Sequence, residues 1–417
     1  MFSLLPLAVF IVIYLSVSII MGDFYKVPLT VAFLISSVVG VAMLRGRSMA
    51  ERIKIFSRGA ASENMMLMIL IFIVAGAFAS SAKAMGSIDA TVALTQWLLP
   101  QQMILAGLFL AACFISISVG TSVGTIVALV PIASGVAAST GISVPMTTAV
   151  VVGGAFFGDN LSFISDTTVV ATQSQGCRMS DKFKANIRIV LPAAMVITLV
   201  YIVMGLNLHT QPTTNDIQPL LVLPYIAVLV IAICGVNVLI TLTIGCILTG
   251  IIGICYGAFD VFGWMQSMNE GVQGMSELII VTMLAGGLLE TVRINGGIDA
   301  IIRSITNHIS GRRGGEFSIA ALVSVVDFCT ANNTVAIITV GPIARQIAER
   351  FGINPRRAAS ILDTFSCITQ SIIPYGAQLL MAAGLAAINP VDIVPYLYYP
   401  MALFVSAVIA ILIKSKT

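Results

Sequence analysis

Charge is what this chain has least of. Asp, Glu, Lys and Arg make up 9% of its 417 residues, against about 25% in a soluble domain. So few charges cannot cover a water-facing surface of this size, which excludes a soluble enzyme or binding module. Histidine is nearly absent: His209 and His308 fall at segment ends and cannot form a two-histidine metal face. The seven cysteines (113, 177, 234, 246, 255, 329, 367) are scattered and never form CxxC, so they read as small packing residues rather than a disulfide framework or metal site. No Walker A sequence is present, which argues against a nucleotide-driven pump. There is no repeated filter sequence or acidic ring of the kind a channel needs. Asp159 follows Phe156-Phe157-Gly158, so the Gly-x-Gly-Asp and Tyr-Asp pair of intramembrane aspartyl proteases is also missing. No catalytic residue and no cofactor is expected. The net charge of +3 comes from short basic loops and gives no support for nucleic-acid binding.

What the chain has in quantity is apolar sequence, 58% of all residues. Its first segment, LLPLAVFIVIYLSVSII, lacks the cationic start and small-residue cleavage site of a signal peptide and reads as a retained span. Spans need roughly 20 apolar residues, and Lys and Arg gather in cytoplasmic loops. Of the 21 basic residues, 18 fall in five clusters, at 45–58, 178–188, 303–313, 345–357 and the tail. If all five face the cytoplasm, both termini are inside. Segment 102–140 then starts and ends outside, while 317–344 starts and ends inside, so each is a hairpin. The expectation is an all-α polytopic protein of the plasma (inner) membrane, with about ten crossing helices plus two hairpins.

The halves of the chain match at an offset of about 210. Ala75-Gly76 pairs with Ala285-Gly286, Gly86-Ser87-Ile88-Asp89-Ala90 with Gly296-Gly297-Ile298-Asp299-Ala300, Pro131-Ile132-Ala133 with Pro342-Ile343-Ala344, and Gly141-Ile142 with Gly352-Ile353. With the topology above these are inverted repeats, a hallmark of secondary transporters that bind their cargo near the midplane at interrupted helices. The first repeat is placed at 1–208, with hairpin 102–140 and broken helix 145–177. A linker at 209–218 leads to the second repeat at 219–417, with hairpin 317–344 and broken helix 355–387. The hairpin tips are GTSVGT (120–125) and TANNT (330–334). The breaks are GDNLSFISD (158–166) and TQSIIPYGA (369–377). Gly158, Pro374 and Gly376 suit interruptions, because Pro lacks an N–H and Gly tolerates unusual backbone angles. Segments 1–60 and 219–275 are nearly free of intramembrane charge and could serve as a scaffold, meeting a second copy in a homodimer.

A carboxylate at the bilayer centre costs roughly 2.5–3.5 kcal/mol, so each one asks for a function. Asp159 and Asp166 lie in the first break, Asp327 just before the second tip and Asp363 before the second break. Sodium favours hard oxygen ligands. Asp159, Asn160, Ser162 and Thr167 offer these on one side; Thr121, Ser122, Thr125, Asn332, Asn333 and Thr334 offer them on the other. A buried carboxylate holds either a proton or a sodium ion, which is the simplest basis for exchange. Asp159, with Asn160, is the first choice for sodium, because the register sets neutral Gln370 opposite Asp159. Glu290 and Arg293, three apart, read as a helix-face ion pair. Lys83 and Arg293 read as snorkelling residues, although Arg293 could also meet a substrate carboxylate. Asp89 and Asp299 read as helix caps.

GGAFFGDNLSFISDTT (153–168), GTSVGTIVALVPIA (120–133) and KFKANIRIVLPAA (182–194) resemble the NhaC-type sodium/proton antiporter family of the ion transporter superfamily. The resemblance covers most of the chain. One departure is Phe163, where such antiporters often carry proline; the aligned Pro374 keeps it in the second copy. The resemblance implies a secondary transporter driven by an ion gradient, with sodium and proton as coupling ions and alternating access. Because relatives include malate/lactate exchangers and amino-acid carriers, a sodium- or proton-coupled carrier of a small organic anion or amino acid stays open beside the antiporter. The tips also resemble the hairpin motifs of dicarboxylate/sodium symporters, which cradle a carboxylate and its sodium ions.

Overall fold

The computed structural model describes residues 4–21, 29–162, 165–206, 218–298, 302 and 311–413. The expectations for Phe163, Asp299 and both histidines fall outside these residues. Apolar sequence with few backbone partners in lipid must satisfy its own N–H and C=O groups, and helices do so within one segment. The described residues are accordingly helical, with no strand among them.

In the first half the helices are α1 (Leu5–Met21), α2 (Leu29–Ala42), α3 (Met49–Ala60), α4 (Glu63–Ala84), α5 (Ser87–Leu98), α6 (Ile104–Val119), α7 (Ser122–Thr140), α8 (Val144–Leu161), α9 (Asp166–Gln175) and α10 (Met179–Gly205). The second half contains α11 (Pro219–Ile233), α12 (Val238–Tyr256), α13 (Val261–Gly274), α14 (Ser276–Ile294), α15 (Gly311–Thr330), α16 (Asn333–Phe351), α17 (Pro355–Ile372), α18 (Ala377–Ala386) and α19 (Tyr398–Leu412). Among the described residues, six segments are long and apolar enough to cross a membrane by length and composition. Others are shorter, including Leu29–Ala42, Ile104–Val119, Pro219–Ile233 and Tyr398–Leu412. After Pro355–Ala386 the chain bends by 100° into Pro390–Tyr396.

The helix contacts come in exchanged pairs. α3 packs on α14 and α4 on α13; α2 packs on α14 and α4 on α12; α7 packs on α18 and α9 on α16. The Ala-Gly matches acquire a physical reason in these contacts. A Cβ at Gly59 would sit 2.4 Å from the Gly286 carbonyl oxygen, and one at Gly76 would sit 2.5 Å from that of Gly271. Without side chains at the crossing, the helices approach backbone to backbone, as membrane helices do at small residues. α10 shows the division between core and lipid: Ile189, Ala193, Ile197 and Tyr201 are buried, while Met195, Leu199 and Val203 are exposed.

α3 is amphipathic and starts with a capping box between Ser48 and Glu51. The Ser48 main-chain N–H and hydroxyl hold the Glu51 carboxyl below the ordinary range. Asp89 is not a cap, contrary to expectation. Gly86 takes that position with φ 85, and Asp89 falls in the first turn of α5, where a carboxylate favours the helix dipole without an N-cap bond.

Candidate ion-binding site

The α6–α7 hairpin and the α15–α16 hairpin turn at equivalent residues. Gly120 (φ 74) and Ala331 (φ 49) both take left-handed backbone angles; Thr121 and Asn332 then stand at the N-cap positions of α7 and α16, Asn332 with a side-chain cap bond and Thr121 without one. The breaks fall between α8 and α9, and between α17 and α18. Tips and breaks meet around one cavity of about 410 Å³, closed on another side by Leu67, Met68, Ile71 and Phe72 of α4 and by residues 235–238. Its lining includes the first residues of α7, α9, α16 and α18, so four helix N-termini converge there.

Asp159, 5% exposed, lines this cavity, and its Oδ1 accepts the Ser122 main-chain N–H at 2.8 Å. A hydrogen-bond chain joins the two tips. Gln370 Nε2 donates to Ala331 O (3.1 Å) and Gln378 Oε1 (2.8 Å), and Gln378 Nε2 donates to Ser122 Oγ (3.2 Å). Gln370 Oε1 is buried with no hydrogen-bond partner. The first break is closed locally: Ser165 Oγ donates to Asp159 O (2.7 Å) and accepts from Thr168 N (3.3 Å), so one hydroxyl serves the end of α8 and the start of α9.

Of the residues singled out from sequence, Thr121, Ser122, Asp159, Asp166, Thr167, Asn332, Asn333, Thr334 and Gln370 line the cavity. Asn160, Ser162, Thr125, Asp327 and Asp363 do not. Ser162 Oγ donates to Ile117 O, and Thr125 Oγ1 to Thr121 O, within the scaffold of the hairpin. Asn332 Oδ1 caps its own helix at Val335 N. Asp327 is fully buried in the last turn of α15, and neither carboxylate oxygen has a hydrogen-bond partner. The freedom expected for Gly158 is not used: α8 runs through it and ends at Leu161. Arg293 is held by Glu290 through two 2.7 Å bonds and does not line the cavity.

Asn160 and Asp363 belong to a second cluster. Lys182 Nζ, on a side chain 1% exposed, lies 2.6 Å from Asp363 Oδ2, 2.7 Å from Asn160 O and 2.6 Å from Thr168 Oγ1. Asn186 Nδ2, with two hydrogens to share, has Asn160 Oδ1 (2.8 Å), Asn160 O (3.0 Å) and Asp363 Oδ2 (3.0 Å) within hydrogen-bond distance. Sequence reasoning missed Lys182, Asn186, Thr168, Ser165 and Gln378. Two signals were available. The register that pairs Asp159 with Gln370 also pairs Thr167 with Gln378. The buried stripe of α10, extended one turn toward its N-terminus, reaches Asn186 and Lys182.

A helical membrane protein with paired hairpins and interrupted helices around a carboxylate-lined cavity is built as a transporter. The chain belongs to the Na+/H+ antiporter family, whose model matches residues 1–206 and 209–414. It is similar to the Na(+)/H(+) antiporter NhaC of Alkalihalophilus pseudofirmus, 23% identical over 448 residues that cover 99% of this chain and 94% of the relative. The Na(+)/H(+) antiporter NhaC of Bacillus subtilis is 24% identical over 84% of this chain and 83% of its own length. The malate-2H(+)/Na(+)-lactate antiporter of Bacillus subtilis is 21% identical over 95% of this chain and 90% of its own.

Proposed function

We propose that the protein is a sodium/proton antiporter of the plasma membrane, working by alternating access, in which sodium binds at Asp159 inside the cavity between tips and breaks. The observation that carries the reading is the charge of that cavity. Asp159 and Asp166 line it, and among the described residues no Lys or Arg does. Two carboxylates in a confined, partly apolar space attract a monovalent cation and disfavour an anion arriving alone. Gln370 Oε1, Thr121 and Thr167 stand ready as neutral oxygen ligands. Asn160, Ser162, Thr125, Asp327 and Asp363 are assigned supporting roles around this site rather than contact with the transported ion. The relatives named for sodium/proton exchange support the same reading.

The surrounding organisation is part of the proposal. Residues 1–208 and 219–417 form inverted repeats, both termini are cytoplasmic, and 1–60 with 219–275 act as the scaffold. The exchanged helix contacts are what such a pseudo-twofold arrangement requires.

One observation favours the second reading, a sodium-coupled carrier of a small organic anion. A cavity of about 410 Å³ is far larger than a sodium ion needs and falls within the usual range of small-molecule sites. The four helix N-termini would favour a carboxylate once sodium had neutralised the aspartates. The test is reconstitution in liposomes with an internal pH dye and an imposed sodium gradient, with no organic solute. Sodium-dependent proton movement that Asp159→Asn abolishes is the expected outcome. A folded protein that moves protons only after malate, lactate or an amino acid is added would overturn it in favour of the carrier.

A further inference from the structure

The Lys182 ammonium sits in a setting built for a monovalent cation. Three oxygens of different chemistry surround it at 2.6–2.7 Å: the Asp363 carboxylate, the Thr168 hydroxyl and the Asn160 main-chain carbonyl. The carbonyl belongs to the last turn of α8, and half-helix C-terminal ends are where transporters coordinate sodium. Two more oxygens of the cluster, Asp363 Oδ1 and Asn186 Oδ1, are buried without hydrogen-bond partners. An ion pair that served only to fasten α10 to α17 would need neither these spare oxygens nor the carbonyl at the break. The cluster is not repeated at the equivalent positions: the repeat register sets Val152 opposite Asp363 and Ile393 opposite Lys182, and both are buried apolar residues.

We propose that Lys182 is a tethered cation filling a sodium-type site formed by Asp363, Thr168 and the Asn160 carbonyl. This site is distinct from the cavity at Asp159, and Lys182 keeps it from taking a second ion. Lys182 thereby sets how many cations the interior holds. The inference deepens the antiporter reading but does not depend on Asp159 being the transported ion's ligand.

The test is equilibrium binding of radioactive sodium to the purified full-length protein in lipid nanodiscs. Lys182→Met is expected to bind one more sodium per chain than the wild type, and Lys182→Met/Asp363→Asn to return to the wild-type number. A folded Lys182→Met that gains no sodium overturns the proposal. So does a gained sodium that Asp363→Asn fails to remove. The same comparison in an Asp159→Asn background separates the two sites. If Asp159→Asn leaves sodium binding unchanged while Lys182→Met still adds one, the Asp159 reading falls and this one stands. Should Lys182→Met be unstable, its melting temperature is compared in sodium chloride and choline chloride at equal ionic strength, again with Asp159→Asn. Recovery in sodium alone, absent from the Asp363→Asn variant, supports the tethered-cation role; equal melting in both salts overturns it.

Discussion

At Gly158, α8 runs so close to α6 that a Cβ would lie 2.2 Å from both Cβ and Oγ of Ser116. Four residues earlier, a Cβ at Gly154 would lie 2.5 Å from the Ala112 methyl. The two glycines form one face of close approach, and Asp159 follows immediately. Gly158→Ala must therefore part α6 from α8 next to the carboxylate that Ser122 holds. The expected cost is about 1–3 kcal/mol of stability, typical of overpacking, together with a weaker apparent affinity for sodium. Thermal unfolding and the sodium dependence of transport, measured on the same preparation, check both; an unchanged sodium dependence would mean that the α6–α8 spacing does not position Asp159. Gly376 makes a parallel demand in the second half, where a Cβ would crowd Gln370 Nε2 at 2.8 Å.

Between elements, Ser165 carries the first break. Its hydroxyl bonds both ends of the gap, Asp159 O on one side and Thr168 N on the other. Ser165→Ala removes an N-cap and leaves a buried carbonyl short of a donor, at an expected cost of about 1–2 kcal/mol. Ser165→Thr keeps the hydroxyl and should recover most of it. Denaturant or thermal unfolding of the two variants side by side decides; equal losses would show that the hydroxyl does not hold the break together. The elements themselves were largely legible in the sequence. Hairpin tips and polar interruptions are local features, and the chain turns at Gly120 and Ala331, just before Thr121 and Asn332. The second cluster was not legible for a physical reason. Lys182 stands among Arg178, Lys184 and Arg188, which are exposed, and a tally of loop charge treats all four alike. Only the helical period separates them, because Lys182 and Asn186 share the buried face that continues through Ile189, Ala193 and Ile197. The role of Gly158 was misread for a similar reason: a glycine beside a break suggests backbone freedom, whereas here it provides room for a neighbouring helix.

At the scale of the whole molecule, Arg45, Arg47, Lys184, Arg188 and Arg350 are exposed basic residues, and the proposed inversion can be checked directly. In a background without the seven native cysteines, Arg47→Cys and Arg350→Cys should react with a membrane-impermeant maleimide from the same side, and Ala258→Cys from the other. All three positions are exposed, so access depends on sidedness alone. Labelling of Arg47→Cys and Ala258→Cys from the same side would rule out the inverted arrangement, because the register sets these two positions opposite each other in the two repeats. The exchanged packing also bears on how the protein is made. α7 and α9 rest on α18 and α16, and Asn186 and Asp363 stand 177 residues apart in the chain. At a synthesis rate of about 5–20 residues per second, the first half waits on the order of 10–35 s for its counterpart. During that interval Lys182 has no Asp363 and the first break has no facing hairpin. The nascent first half is thus a polar, unfinished insertion intermediate, and the ribosome must deliver nearly the whole chain before the Lys182–Asp363 pair and the cavity between tips and breaks can form.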